Sequence, residues 1–156
     1  MRKLGIIAVL SLLVTALAAV PALAAPHFQS ASGTIGNNGA LTVSFDERGL
    51  GNGNINYSLT GDATATWACF NGGGKHPQAA NKETETNPVV EEASFESKNG
   101  RVVASFSTDA PTTTFTCPSG QRLRLASISY TDLVLTDTTN GTSTNLADVS
   151  RVFFSV

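Results

Sequence analysis

Two cysteines, two histidines and a crowd of glutamates are the residues of this chain whose types could support chemistry. Cys69 and Cys117 each end a β-branched and aromatic stretch, residues 63–70 and 114–117. In a chain bound for an oxidising compartment, two such cysteines predict one disulfide and not a metal site. The bridge closes a loop of 48 residues, worth roughly 4 kcal/mol through the entropy taken from the unfolded chain. Trp67 has the strand parity of Cys69, so its ring is expected on the same inward face, packed on the bridge.

His27 and His76 are the two candidate ligands for copper. A chain beginning at Ala25 places His27 third, but copper binding there also needs the amide N–H of the second residue, and Pro26 has none. Loss of Pro26 would make His27 N-terminal and let it pair with His76 in a two-histidine copper brace. The plainer expectation is two exposed histidines and no bound metal or cofactor. Glu83, Glu85, Glu91, Glu92 and Glu96 could in principle supply a glycosidase carboxylate pair or oxygen ligands for calcium. Glu83 and Glu85 alternate with threonine, as on a solvated strand, and no Asp-x-Asp-x-Asp-Gly loop is present. An acidic outer face is therefore expected. There is no Gly-x-Ser-x-Gly elbow, and a hydrolytic triad has no histidine near a suitable serine. No catalytic residue is assigned.

The elements that must carry these residues begin after a leader. Arg2 and Lys3 precede an almost unbroken apolar run over residues 5–20, and Ala22-Leu23-Ala24 is a small-x-small cleavage signal. Residues 1–24 read as a secretory signal peptide, cut after Ala24 or Ala25. No later run reaches the ~18 apolar residues of a spanning helix. Without Arg2 and Lys3, ten basic residues become eight against twelve acidic ones, a charge of −4. That balance argues against nucleic acid or an anionic membrane as partner. Residues 25–156, about 130, suit one domain with one core.

Within that domain the apolar pattern has period two. Leu41, Val43 and Phe45 alternate with polar residues, as do Ile55, Tyr57 and Leu59. Gly61-Asp62 reads as a turn into the Cys69 strand, and residues 82–87 as a solvated strand or arm before a strand bearing Val89, Ala93 and Phe95. Asn99-Gly100 is a hairpin turn leading to Val102, Ala104 and Phe106. Pro111 precedes a second cysteine strand. Leu123 and Leu125 face inward, the parity slips to Ile128 and Tyr130, and it slips back at Leu133 and Leu135, which predicts bulges near Ala126 and Thr131. Asn140-Gly141 turns the chain again, and residues 149–156 form a last strand. With no sustained 3.6-residue period after the leader, the fold class is all-β: an antiparallel, immunoglobulin-like β-sandwich of eight or nine strands. Tyr57, Tyr130 and Trp67 share inward parity and are expected in the core. They are not expected to form an aromatic platform for sugars.

The longest irregular stretch is Asn71-Gly72-Gly73-Gly74-Lys75-His76-Pro77, continuing to Asn81. Long loops on rigid scaffolds are where function concentrates, so this segment is the candidate contact loop. The partner expected for it is an extracellular protein or a cell-surface glycan. Hydrolase inhibition through such a loop is the competing reading, followed by a small copper-dependent or carboxylate-based enzyme.

Several strings occur together: Trp67-Ala68-Cys69-x-Asn71 with the glycine-rich loop, Asn81-Lys82-Glu83-Thr84, and Thr116-Cys117-Pro118-x-Gly120-Gln121. With Ala126-Ser127-x-Ser129-Tyr130 and Thr136-Asp137-Thr138-Thr139-Asn140-Gly141, they resemble a group of small, secreted, single-disulfide proteins of actinomycete-type soil bacteria. The resemblance runs from about Gly49 to Gly141. It implies secretion and a single domain, and it implies no activity, cofactor or catalytic residue.

Overall fold

The computed structural model describes residues 24–71 and 81–155. The leader through residue 23, and Gly72, Gly73, Gly74, Lys75, His76 and Pro77 of the contact loop, lie outside the described residues. Eight strands follow one another: β1 (His27–Ile35), β2 (Leu41–Arg48), β3 (Gly53–Asn71), β4 (Lys82–Ser97), β5 (Arg101–Ser107), β6 (Gln121–Asp137), β7 (Thr142–Asn145) and β8 (Val149–Val152). They form two antiparallel sheets. The small one has the order β1-β2-β5, and the large one β4-β3-β6-β7, with β8 also on β6. β7 pairs with residues 134–137 of β6 and β8 with residues 127–130, so the two short strands share one edge in succession. Among the described residues no helix is long and apolar enough to cross a membrane.

The sheets meet through the residues whose period predicted them. Leu41, Val43 and Phe45 of β2 pack against Ile55, Tyr57 and Leu59 of β3 and Ile128, Tyr130, Leu133 and Leu135 of β6. Phe45 is the hub, its ring 4.6 Å from that of Tyr57 and 5.9 Å from that of Phe95. Edge-to-face and tilted ring pairs of this kind add to the area they bury. Tyr57 and Tyr130 are core residues, as their parity required. Asn99 and Gly100 form the expected tight turn, with φ of 53° and 73°, the positive pair that a type I′ turn needs. Here the turn carries the chain between sheets, because β4 belongs to the large sheet and β5 to the small one.

Both predicted slips on β6 are bulges. Thr66 pairs with Ser127 but Trp67 with Leu125, leaving Ala126 as the extra residue. Ala126 turns to the opposite face, where it is buried with Ala68 and Phe70 in a second apolar cluster. The other slip lies between the Thr60–Val134 and Asp62–Thr131 pairs, and Asp132 takes a φ of 54° there. Gly61 sits opposite this bulge. A Cβ at Gly61 would come within 2.8 Å of Leu133 and 2.9 Å of the Thr131 carbonyl oxygen, so only glycine lets the strands approach.

That bulge corrects the reading of Gly61-Asp62 as a turn: β3 runs through it as one strand of 19 residues. Residues 82–87 and the strand after them are likewise a single strand, β4, which passes through Pro88. A proline without an N–H is tolerated because β4 is the outermost strand of its sheet. Leu123, expected inside, is 36% exposed; it lies on the part of β6 that outruns the small sheet. The last strand is shorter than expected, ending at Val152.

The second cysteine is not on a strand. Residues 108–117 form an irregular strap across the inner face of the large sheet, without regular pairing. Pro111 cannot donate a ladder hydrogen bond, and Thr113 uses its hydroxyl to accept the Phe115 N–H at 3.0 Å. Such local side-chain bonds compete with sheet formation. The strap starts where the Thr108 N–H donates to the Leu41 carbonyl at 2.9 Å and the Leu41 N–H to the Thr108 hydroxyl at 3.1 Å. It ends at the Cys69–Cys117 disulfide, and Cys69 is fully buried.

Replacing both cysteines by alanine should lower the unfolding free energy by roughly 4 kcal/mol, measured by urea titration. A midpoint equal to that of the parent would show that the strap holds without its tether. Trp67 is partly buried against the main core, and Trp67→Ala is expected to cost about 3 kcal/mol in the same assay. A change below about 1 kcal/mol would mark the ring as peripheral.

Candidate functional site

The strands of the large sheet are longer than those of the small one, and the strap crosses the inner face they leave uncovered. Two side chains of β3 on that face, Ala63 and Ala65, are too small to fill the space beneath it. A cleft of about 540 Å³ results, floored by Ala63, Ala65, Val89 and Tyr130 and walled by residues 108–114 and β4. That volume lies within the range of small-ligand sites. The Tyr130 hydroxyl donates to the Gly39 carbonyl at 2.8 Å, which fixes the ring, and burial pushes its proton loss upward.

Charge in the cleft is of one sign. Glu85, Glu91 and Asp109 line it, and among the described residues no lysine, arginine or histidine does. Two of the carboxylates also hold the strap. The Thr113 hydroxyl donates to Glu85 Oε1 at 2.7 Å, and the Asp109 N–H reaches Glu91 Oε1 at 3.4 Å. Glu85 and Glu91 stand six residues apart on β4, about 20 Å along an extended strand. The two carboxyl groups of a glycosidase must lie within about 10 Å, so these two cannot act as one. Glu92 and Glu96 have the opposite parity, and Glu92 lines a shallow depression with Asn56 and Ser58 instead. The five glutamates are therefore divided between the two faces of the strand.

Of the other expected site residues, His27 opens β1, exposed, with its Nδ1 2.9 Å from the Ala25 carbonyl oxygen. His76 lies outside the described residues, so the pairing of the two histidines is not described. Asn71, the first residue of the contact loop, ends β3 opposite Gln121, and Asn81 at the loop's far end donates to the Gln121 side chain at 3.2 Å. Both ends of the loop thus stand at one end of the large sheet, two residues beyond Cys69. Among the described residues no group of three or more histidine, cysteine, aspartate or glutamate side chains could hold a metal.

A second polar cluster escaped the sequence reading. Glu47, Asp137 and Tyr57 are buried together between the sheets. The Tyr57 hydroxyl donates to Glu47 Oε2 at 2.7 Å, while Glu47 Oε1 has no donor within reach. Asp137 accepts from the Thr139 N–H at 2.8 Å, the Asn140 N–H at 2.9 Å and the Asn140 side-chain amide at 2.6 Å. Burial pushes the Glu47 carboxyl up to about 7 against the Tyr57 hydroxyl, with Asp137 adding to the rise as a near charge and hydrogen-bond partner and His27 opposing it. The same burial, and the bond to Glu47, push Tyr57 far upward. The signal was present: Glu47 continues the inward parity of Leu41, Val43 and Phe45, and Asp137 that of Leu133 and Leu135.

Thr113→Val keeps the shape of the strap but removes its charge-assisted bond to Glu85. It should destabilise by about 1.5 kcal/mol and speed amide exchange at Phe115, whose N–H loses its acceptor. Unchanged exchange there would show that the disulfide and Thr108 alone position the strap. No protein family, curated protein or solved structure was found to match this chain.

Proposed function

We propose that this protein is a secreted, non-enzymatic binding module that engages a cationic group of an extracellular protein or cell-surface glycan. The observation that carries this reading is the cleft beneath the strap. It is large enough for a side chain or a single sugar, and among the described residues its charged lining is acidic throughout. An ammonium or guanidinium group entering it would meet carboxylates in partly desolvated surroundings, where such pairing is stronger than at an open surface. The apolar floor suits the methylene stem of a lysine or arginine side chain. Secretion is supported by the leader-like sequence of residues 1–24 and by the disulfide, a bond typical of oxidising compartments. The segment Asn71–Pro77 is a further contact candidate on its sequence alone.

The test is a chemical-shift titration in 150 mM salt with acetyl-lysine-amide, a glucosamine oligomer, and their neutral acetylated counterparts. The cationic probes should shift the amides of Ala65, Glu85 and Thr113, unchanged in chemical form at the end. Glu85→Gln with Glu91→Gln should weaken them tenfold or more. Equal responses to cationic and neutral probes would refute the reading, and turnover of a probe would make the protein an enzyme.

A further inference from the structure

The buried cluster of Glu47, Tyr57 and Asp137 joins the two sheets at the end of the sandwich remote from the strap. Glu47 projects from β2 of the small sheet, and Tyr57 and Asp137 from β3 and β6 of the large one. Two buried carboxylates facing one another would repel in a medium of low dielectric. The orphaned Glu47 Oε1 removes the difficulty if it carries a proton. It then becomes a donor, and the acceptor it meets is the Asp137 carboxylate. The proton belongs on Glu47 because three donors converge on Asp137 and, among the described residues, only the Tyr57 hydroxyl reaches Glu47. We propose that one proton, shared from Glu47 to Asp137, latches the small sheet to the large one, so that the sandwich is most tightly closed in acidic surroundings and loosens toward neutral pH.

Among the described residues, the charged groups on the strands around the latch are turned away from it or bonded elsewhere, His27 excepted. Asp46 and Arg48, beside Glu47 on β2, point to the outer face, where Asp46 bonds Arg101 at 2.7 Å and Arg48 at 3.1 Å. From β1, the exposed imidazole of His27 also acts on Glu47 and opposes the rise. Tyr57 of β3 and Asp137 of β6 are in direct contact. On β5, Glu47 is paired with apolar Val102, and on β7 the Thr142 hydroxyl donates to the Pro26 carbonyl at 3.4 Å. The inward carboxylate of β4 closest along the sheet is Glu91, which bonds the strap.

The direction of the pH effect follows from proton linkage. Unfolded, Glu47 loses its proton near 4.5; folded, it keeps it up to about 7. The folded chain binds the extra proton between those values. Its stability is therefore full below 4.5, falls as pH rises to about 7 and is level above. Asp46 runs the other way: Arg101 and Arg48 hold its carboxyl well below the usual range, so its contribution fades only as pH drops below 3.8.

The experiment compares melting temperatures of the parent and Glu47→Gln from pH 4 to pH 8, since glutamine keeps the donor to Asp137 and cannot ionise. The variant should gain several degrees on the parent between pH 4.5 and pH 7, and a constant difference would overturn the proposal. His27→Gln should keep the slope of the parent; loss of the slope would assign it to the imidazole and overturn the latch. Should Glu47→Gln fail to fold, the carboxyl ¹³C shift of Glu47 in the parent decides. A midpoint near 7 supports the latch, and one in the ordinary carboxylate range refutes it.

Discussion

The structure depends on a mismatch of length. β3, β4 and β6 run for 19, 16 and 17 residues, whereas β1, β2 and β5 run for 9, 8 and 7. At about 3.3 Å per residue the large sheet extends some 30 Å beyond what the small one can cover. An uncovered inner face would expose Ala65, Trp67 and Cys69 to water. The strap covers part of it, but a threonine-rich segment containing Pro111 makes no ladder with the sheet beneath. Its attachment rests on the Leu41–Thr108 pair at one end, the disulfide at the other, and two bonds to glutamates of β4 between them. The disulfide therefore closes a layer of the fold as well as constraining the unfolded chain.

The same mismatch explains what could be read from the sequence. Where two strands face each other across a complete core, side chains must alternate, and the period of two named the inward residues of β2, β3 and β6 correctly. The two parity slips on β6 also reported real bulges, because a bulge shifts every later side chain to the other face. The disulfide was legible from the leader-like start of the sequence and the count of two cysteines. Beyond the reach of the small sheet the constraint lapses. Leu123 has inward parity but nothing above it, and Phe70 and Ala68, on the outward parity, are buried by Ala126 and by Phe154, whose ring lies 5.2 Å from that of Phe70.

The candidate sites were harder to read, for a different reason. Threonines 112–114 and 116 have high strand propensity, yet propensity measures fit to a paired and half-buried surface, and none of the described strands pairs with them. Glu85 and Glu91 looked like members of an acidic outer face because an edge strand of alternating glutamate and threonine is usually solvated. They line a cleft only because the strap lies over them, and no local pattern encodes that. Glu47 and Asp137 carried the inward parity of their neighbours. A charge at such a position conflicts with burial until a proton or partner is supplied, and the partners here, Tyr57 for Glu47 and the Thr139–Asn140 turn for Asp137, are not marked by any local pattern.

The two ends of the sandwich are closed by unlike chemistry. Under the strap the closure is by hydrogen bonds at Leu41 and covalent at Cys69, and the space between stays open because Ala63 and Ala65 contribute little volume. Near Glu47 it is polar and filled: Phe28, Phe45 and Tyr57 pack ring against ring around the carboxyl groups, with centroids 6.0 to 6.4 Å from Phe28. A core of aliphatic side chains at that end would bury no charge and need no proton. The cluster instead fixes the register between sheets, since Tyr57 can reach Glu47 in only one alignment of β2 over β3. Buried polar groups that are satisfied in a single arrangement specify that arrangement more sharply than apolar contacts do. The filled end and the open end are thus complementary: one sets the alignment of the sheets, and the other can keep a cleft without collapsing onto it.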